Sequence, residues 1–429
     1  MKVLSDANLG FLGRSFGGEA LGVTILKYAK SLSGDGSRIL IQLIYFYLVA
    51  NTLSIEEFGL FATASAVGIV LSRLNAFGFI SPLYRASAVK PHLIGTFTAG
   101  YIAALILSLP VIVGLAFGAH AAFFAGKMLL LTFALIVTSE VLFWRGFEVC
   151  IAVVKGTEKF GVASIMIVFA FAMKAVAAAI LAFGSDGDLD SWATIYVSVQ
   201  GVMFVTCAAL FYPKKKLRFY PRLYLRRWRE ALTVAGSDML MFAQMELDKL
   251  IVLSLAGEFI AGIYSMVMRL VDLTATPVRV FSTILTQRLM RTPELLQTIK
   301  VRALIETGVI GVSLAGIGAI VSVLWLKPDI LGSNVAAAVP FLFLVALIPA
   351  FKNLIEYHAE LLYGRGQTGL RLINYALLGA GKMILMTTLL LNFPNPEQWF
   401  IWTNAVFAAL YACSFLLTYT SLKRPAVRI

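Results

Sequence analysis

Charge is scarce in this chain. Only 14% of its 429 residues are Asp, Glu, Lys or Arg while 59% are hydrophobic, which excludes an ordinary soluble globular protein. Histidine and cysteine are nearly absent, with three of each. His92, His120 and His358 are widely separated and offer no metal cluster. Cys150, Cys207 and Cys413 fall inside apolar segments without metal-ligand spacing, so packing is their default role. No glycine-rich phosphate loop followed by lysine occurs, so the chain does not hydrolyse ATP. The N-terminal region carries Lys2, Arg14, Glu19, Lys27 and Lys30, and no uninterrupted apolar core precedes a small-residue cleavage site. No cleaved signal is expected.

What the chain does have is apolar runs. At about 20 residues per helical span, about twelve spans are expected, over roughly 33–53, 60–80, 94–117, 128–153, 161–183, 191–211, 231–254, 259–284, 303–326, 336–360, 369–391 and 398–420. The expected fold class is therefore an all-α membrane protein. The segment PKKKLRFYPRLYLRRWRE, 213–230, divides these spans equally and carries eight cations against Glu230. A basic loop between spans stays in the cytoplasm, and membrane topology rather than nucleic acid accounts for the net charge of +13. Tyr220, Leu223, Tyr224 and Trp228 recur at helical spacing there. The segment either lies as an amphipathic helix on anionic inner-leaflet lipids or serves only as a retention signal.

Loop charges support the count independently of hydropathy. Arg85 and Lys90, Lys155 and Lys159, the central segment, Arg288, Arg291, Lys300 and Arg302, Arg365 and Arg371, and Lys423, Arg424 and Arg428 belong to the cytoplasmic set. Glu56 and Glu57, Lys127, Asp186, Asp188 and Asp190, Glu258, Lys327 with Asp329, and Glu397 belong to the outward set. The expected organisation is a cytoplasmic N-terminal segment 1–32, an N-lobe 33–212, the basic linker 213–230, a C-lobe 231–421 and a cytoplasmic tail 422–429. No outward loop exceeds about fifteen residues, which leaves little room for extramembrane catalysis.

The two halves repeat. SIEEFGLFATAS after span one matches AGEFIAGIYSMVM after span seven, pairing Gly59 and Phe61 with Gly262 and Tyr264 at an offset of 203. VVKGTEKFG matches LLYGRGQTG, pairing Gly156 and Gly161 with Gly364 and Gly369 at an offset of 208. Six spans per half imply parallel repeats about an axis along the membrane normal, with binding sites between them. Recurrence of glycine-bearing turns is the competing reading.

Charges inside spans are costly and by default face a wet cavity or the protein interior. Asp35, Arg38, Gln42 and Tyr45 share one face of span one, although Arg38 is near enough to the end to snorkel. Span two adds Arg73 with Asn75, and span four carries Glu140, Trp144 and Glu148, with Arg145 spaced to pair with Glu148. Lys174 lies near the middle of span five, either functional or paired with a span-four glutamate. Span seven carries Asp238, Met241, Met245 and Asp248 on one face and a Glu246–Lys249 pair. In span eight Arg269 has Asp272 as its expected partner, with Arg279 further on and Pro277 available to loosen the helix. Span ten presents Lys352, Glu356 and Glu360, with Pro340 and Pro349 favouring a bend, and span eleven contributes Lys382. The cations of spans one, two, five and eight exceed the acids of their own helices, so an anion held between the halves is expected. Arginine suits phosphate because its planar fork donates two parallel hydrogen bonds.

LVANTLSIEEFGLFATASAVG, the GTEKFG turn and DKLIVLSLAGEFIAGIYSMVMRL resemble the polysaccharide-exporter branch of the multidrug/oligosaccharidyl-lipid/polysaccharide exporter superfamily, over nearly the whole chain. The resemblance implies two six-helix lobes in a MATE-like V working by alternating access, with both termini cytoplasmic, in a bacterial inner membrane. It also implies an undecaprenyl-diphosphate-linked oligosaccharide as cargo for O-antigen, capsule or exopolysaccharide assembly, with a polysaccharide polymerase complex as partner. In the related lipid II flippases, cavity arginines on spans one, two and eight bind the diphosphate; Arg38, Arg73 and Arg269 occupy those spans here, and Lys174 and Arg145 complete the candidate set. The two extra C-terminal spans of those flippases are not seen, which disfavours lipid II as cargo. Coupling to Na+ or H+ in relatives involves a span-seven acid, matched by Asp248, with Asp35 and Glu246 as further candidates. No cofactor is implied. Competing classes are a cation-coupled multidrug exporter, which expects an acidic cavity, a membrane glycosyltransferase, polymerase or ligase, which expects a large outward loop, and a non-transporting scaffold.

Overall fold

Apolar runs that cannot hydrogen-bond to lipid fold as helices, and every regular element among the described residues is helical. A computed structural model describes residues 38–291 and 299–421. Asp35, the segment 1–32, the tail with Lys423, Arg424 and Arg428, and the side chains of Arg288 and Arg291 lie outside the described residues. The N-terminal half comprises α1 (Arg38–Thr52), α2 (Ile55–Ser72), α3 (Ile80–Val89), α4 (Pro91–Phe124), α5 (Leu130–Gly156), α6 (Phe160–Gly184) and α7 (Leu189–Phe211). After a short α8 (Pro221–Leu225), the second half comprises α9 (Trp228–Leu273), α10 (Ala275–Arg291), α11 (Ile299–Leu326), α12 (Ser333–Leu344), α13 (Ile348–Gly364), α14 (Thr368–Asn392) and α15 (Pro396–Ser421). Among the described residues nine helices are long and apolar enough to cross a membrane, and α12 with α13, bent by 75°, make a tenth. α1 is a shorter apolar helix. α9 runs for 46 residues and takes in most of two sequence spans, parted at Gly257, whose φ of 85° suits only glycine.

Breaks fall at corresponding places in the two halves. The run expected over 60–80 turns at Ala76, Phe77 and Gly78, all with positive φ, between α2 and α3. Its counterpart turns at Thr274, between α9 and α10, three residues before Pro277. α5 contains a π-helical stretch over Ser139–Trp144, and the matching α12–α13 span is fully broken. The freed polar groups are satisfied: Asn75 Nδ2 donates to the Val141 carbonyl at 2.7 Å, and Ser108 Oγ accepts from the Ala76 amide at 3.0 Å. The change of offset from 203 to 208 has its cause here, because the broken span accommodates extra residues before Gly364.

Repeat partners meet one another. A Cβ on Gly59 would lie 2.6 Å from the Gly262 amide nitrogen, and one on Gly262 would lie 2.0 Å from the Ile55 carbonyl oxygen. The two halves therefore touch through backbone at the matched glycines. Gly262→Ala is expected to lower the stability of the purified protein by about 1–3 kcal/mol or more through overpacking. An unchanged melting temperature in detergent would contradict the close approach. Ring pairs repeat as well: Phe61–Trp192 at 5.4 Å and Tyr264–Phe400 at 6.0 Å occupy equivalent positions.

The end of the molecule bearing the acidic loops is tied on both sides of the pseudo-axis. Asn334 Nδ2 donates to the carbonyls of Ala50 and Leu53, at 2.9 and 2.8 Å, while Asn51 Nδ2 donates to the Leu331 carbonyl at 2.7 Å. Lys127 Nζ donates to the Leu253 carbonyl at 3.3 Å, the equivalent contact in the opposite sense. Outward acids act as caps here. Ser54 and Glu57 form a capping box, Glu57 Oε1 also accepts from the Leu189 amide, and Asp188 caps α7. Hydrogen bonds from Ser191 hold the Asp188 carboxyl below the usual carboxylate range.

The linker differs from the expected amphipathic helix. Residues 213–220 are irregular, and only α8 and the start of α9 are helical. Tyr224 is drawn out of the row expected to face lipid: its hydroxyl donates to the Thr96 carbonyl at 2.8 Å and its ring packs edge-on against Phe79. Pro221 interrupts the segment, and the N-lobe takes one of its aromatics. Leu217, Phe219, Tyr220, Leu225 and Trp228 remain exposed among the cations.

Candidate functional site

Apart from the sealed Asp248–Lys382 pair, the charged side chains within the spans fall into three groups. In the first, Arg73 from the end of α2 and Arg145 from α5 share one carboxylate. Arg73 binds Glu148 through both terminal nitrogens, at 2.9 and 3.3 Å, and Arg145 Nη1 binds the same group at 2.7 Å. Both guanidinium groups are nearly buried. Arg145 approaches Asp238 of the other lobe at 3.9 Å, and Arg73 lies 3.9 Å from the ring centre of Phe242. Two cations on one carboxylate leave one positive charge, which Asp238 offsets from across the gap.

The second group neutralises itself. Arg279 and Glu356 form a two-pronged pair at 2.9 Å, Lys352 binds Asp272, Arg371 binds Glu360 at 3.0 Å, and Lys249 binds Glu246 at 2.5 Å. The Glu246–Lys249 and Arg145–Glu148 pairs are those expected from spacing. The Arg269–Asp272 pair is not formed, because Lys352 from the broken span reaches Asp272 instead.

The third group is what remains. Arg269 is exposed although its neighbours Met268 and Leu270 are buried, and it makes no hydrogen bond or ion pair among the described residues. It lies on the C-lobe yet within Coulombic reach of Tyr45 and Lys174 of the N-lobe, so it faces the space between them. Lys174 forms no pair with a span-four glutamate. Its ammonium sits 3.6 Å from the ring centre of Trp144, a contact worth about 0.5–2 kcal/mol. Glu140 is engaged elsewhere, accepting from Ser65 Oγ at 2.8 Å and Tyr196 Oη at 2.7 Å. Glu140 and Glu148 do share a face, against α2, while Trp144 turns to α6. Phe171 packs edge-on against Trp144 and carries the Arg38 guanidinium at 5.8 Å.

The repeat explains why Lys174 is left over. Lys382 is its equivalent at the offset of 208, and Asp248 is equivalent to Tyr45 at 203. In the C-lobe Lys382 Nζ binds Asp248 Oδ2 at 2.8 Å and the Gln244 carbonyl at 2.9 Å, and Tyr264 Oη donates to Asp248 at 2.7 Å. Both charges are essentially inaccessible, at 2% and 1%. In the N-lobe tyrosine replaces the aspartate, and among the described residues no carboxylate forms an ion pair with Lys174. One lobe keeps its lysine neutralised and the other presents it.

No protein-family model and no curated protein sequence matches the chain. Among solved structures, an inward-facing multidrug resistance MATE family transporter of the MOP superfamily superposes with a TM-score of 0.65 at 14% identity, over 90% of this chain and 94% of that one. This is the MATE fold. A MOP superfamily transporter from Pyrococcus furiosus, described as having reversed binding-pocket polarity, gives 0.59 at 14% identity over 91% and 94%. An outward-facing MATE family transporter gives 0.57 at 14% identity over 91% and 93%.

Within this MATE fold the sequence candidates separate. Arg269, Lys174 and Arg38 are brought toward one region through Trp144, Phe171 and Tyr45, whereas Arg73 and Arg145 form a second centre on Glu148. Asp248 is sealed against Lys382, and Glu246 against Lys249. Sequence reading missed Trp144 as the seat of Lys174 and Phe242 as that of Arg73. The lysine equivalence was available in the repeat alignment, since both offsets were already fixed by the glycine turns.

Proposed function

We propose that this chain flips polyprenyl-diphosphate-linked oligosaccharides across a bacterial inner membrane by alternating access, as a twelve-span carrier with both termini cytoplasmic. The observation that carries this reading is a pair of cations from opposite lobes, Arg269 and Lys174, that lie within Coulombic reach of each other and form no ion pair among the described residues. A diphosphate between them would be held by a guanidinium fork on one side and an ammonium on the other. At the Glu148 centre Arg73 and Arg145 are balanced by Glu148 and Asp238, so it adds guanidinium donors for the same headgroup rather than net charge. An organic cation would meet repulsion at Arg269 and Lys174, which weighs against multidrug export. Paired charges in the C-lobe leave polar groups to meet sugars, and the prenyl tail remains in lipid. The exposed cations and aromatics of the linker suit anionic inner-leaflet lipids, and a polymerase complex would receive the product.

The test is a strain lacking the gene, from which polyprenyl-linked oligosaccharides are extracted and assigned to a leaflet. Accumulation of completed repeat units on the inner leaflet with loss of surface polymer is expected. Unchanged intermediates and a normal surface would end this reading.

A further inference from the structure

His358 is the buried histidine of α13, with no accessible surface, and it joins three other helices. Its Nε2 lies 3.1 Å from Glu306 Oε1 of α11, and its Nδ1 lies 3.2 Å from Ser414 Oγ of α15. Asn374 of α14 donates from Nδ2 to the same Ser414 oxygen at 3.3 Å. Glu306 also accepts from Tyr411 Oη at 3.0 Å and from the Tyr419 hydroxyl. An ionised carboxylate only accepts, so a neutral imidazole donates from Nε2 to Glu306 and leaves Nδ1 to accept from Ser414. With His358 neutral, both ring nitrogens, Glu306 and Ser414 are then paired, while Asn374 Oδ1 has no hydrogen-bond partner. Nδ1 is also the place for one more proton: it would become a donor, the Ser414 hydroxyl would turn to accept, and the imidazolium would stand against Glu306 as an ion pair.

We propose that His358 and Glu306 form a proton-binding dyad that fastens α13, the second half of the broken span, to α11 and α15, and that proton uptake there biases the carrier's conformational change. The same helix carries Lys352, Glu356 and Glu360, ion-paired to α9, α10 and α14 respectively, so its position is felt by the helix that bears Arg269. The other titratable groups facing the dyad are Tyr357 on α13, Tyr411 and Tyr419 on α15, and Arg302 on α11, whose guanidinium lies 5.0 Å from the Tyr419 ring centre. Both members of the dyad lie near the helix ends that carry the basic loops. Glu306 is seven residues into α11, about 10 Å at the helical rise, and His358 is six residues from the end of α13. Packing of the repeat does not demand this chemistry, because the N-lobe residue equivalent to His358 at the offset of 208 is Cys150, buried in an apolar cluster.

The role in transport rests on the carrier reading, whereas proton binding is tested without any cargo. Replacing His92 and His120 by glutamine leaves His358 as the single histidine, so 15N-histidine NMR of the purified full chain in nanodiscs reports it alone. Imidazole nitrogen shifts that move between about pH 5 and 8, where imidazole changes charge, with a different profile in Glu306→Gln, are the expected result. Shifts that stay constant over that interval overturn the dyad, whether or not the protein transports anything. In proteoliposomes loaded with fluorescent polyprenyl-diphosphate disaccharide, a one-unit pH difference should change the wild-type rate by up to about tenfold. Both His358→Gln and Glu306→Gln should reduce that response to below about twofold. The second variant serves where the first fails to fold. Full retention of the response in a folded variant overturns the coupling role.

Discussion

Arg269→Ala is expected to cut transport of a diphosphate-linked cargo by about a hundredfold while leaving membrane insertion and thermal stability unchanged. The size follows from losing charge-assisted hydrogen bonds worth about 1.5–3 kcal/mol, where each 1.4 kcal/mol is about tenfold. Stability is spared because Arg269 is exposed and pairs with no carboxylate among the described residues: Lys352 already holds Asp272. Arg269→Lys should fall between, since the charge stays but the planar fork is lost. The comparison with Arg73→Ala separates binding from architecture. Removing Arg73 disturbs the buried centre on Glu148 and should lower the melting temperature as well as transport. A wild-type transport rate in a folded Arg269→Ala protein would remove that residue from the site.

The largest stability effect is expected at the sealed pair of the C-lobe. Lys382→Met leaves Asp248 buried without a counter-ion and Asp248→Asn leaves Lys382 so, each costing about 3–5 kcal/mol. The double variant Asp248→Asn/Lys382→Met should recover most of this loss, because neither charge is then stranded. Thermal unfolding of the purified proteins, combined as a double-mutant cycle, measures the coupling. Single variants as stable as wild type would contradict a buried pair. If Asp248 instead held a mobile cation, Lys382→Met would produce stability that rises with added Na+, an outcome that the present geometry does not predict.

Membrane class, the succession of apolar runs and the two repeat offsets were legible in the sequence, because hydropathy over a span and matched glycine turns are local features. Gly59 and Gly262 were correctly matched, and their mutual contact is what a pseudo-axis between the halves requires. Short-range ion pairs were legible too, as Glu246–Lys249 and Arg145–Glu148 depend only on helical spacing. What failed was the prediction of partners on other helices. Asp272 went to Lys352, 80 residues further along the chain, and Lys174 chose an aromatic face over a glutamate already engaged by Ser65 and Tyr196. Breaks were seen only where proline announced them. The left-handed turn at Ala76 and Phe77 carries no such signal, being held by Asn75 and Ser108 from within the fold. His358 was set aside because its partners are a carboxylate and hydroxyls from distant helices rather than other histidines.

The most direct measurement of the central claim is binding of a short-chain polyprenyl-diphosphate disaccharide to the purified protein, compared with its uncharged polyprenol analogue and with a lipophilic organic cation. Preferential binding of the diphosphate, weakened together by Arg269→Ala and Lys174→Met and by rising salt, is the predicted result. Preference for the organic cation, or equal binding of the charged and uncharged lipids, would contradict an anion held between the lobes.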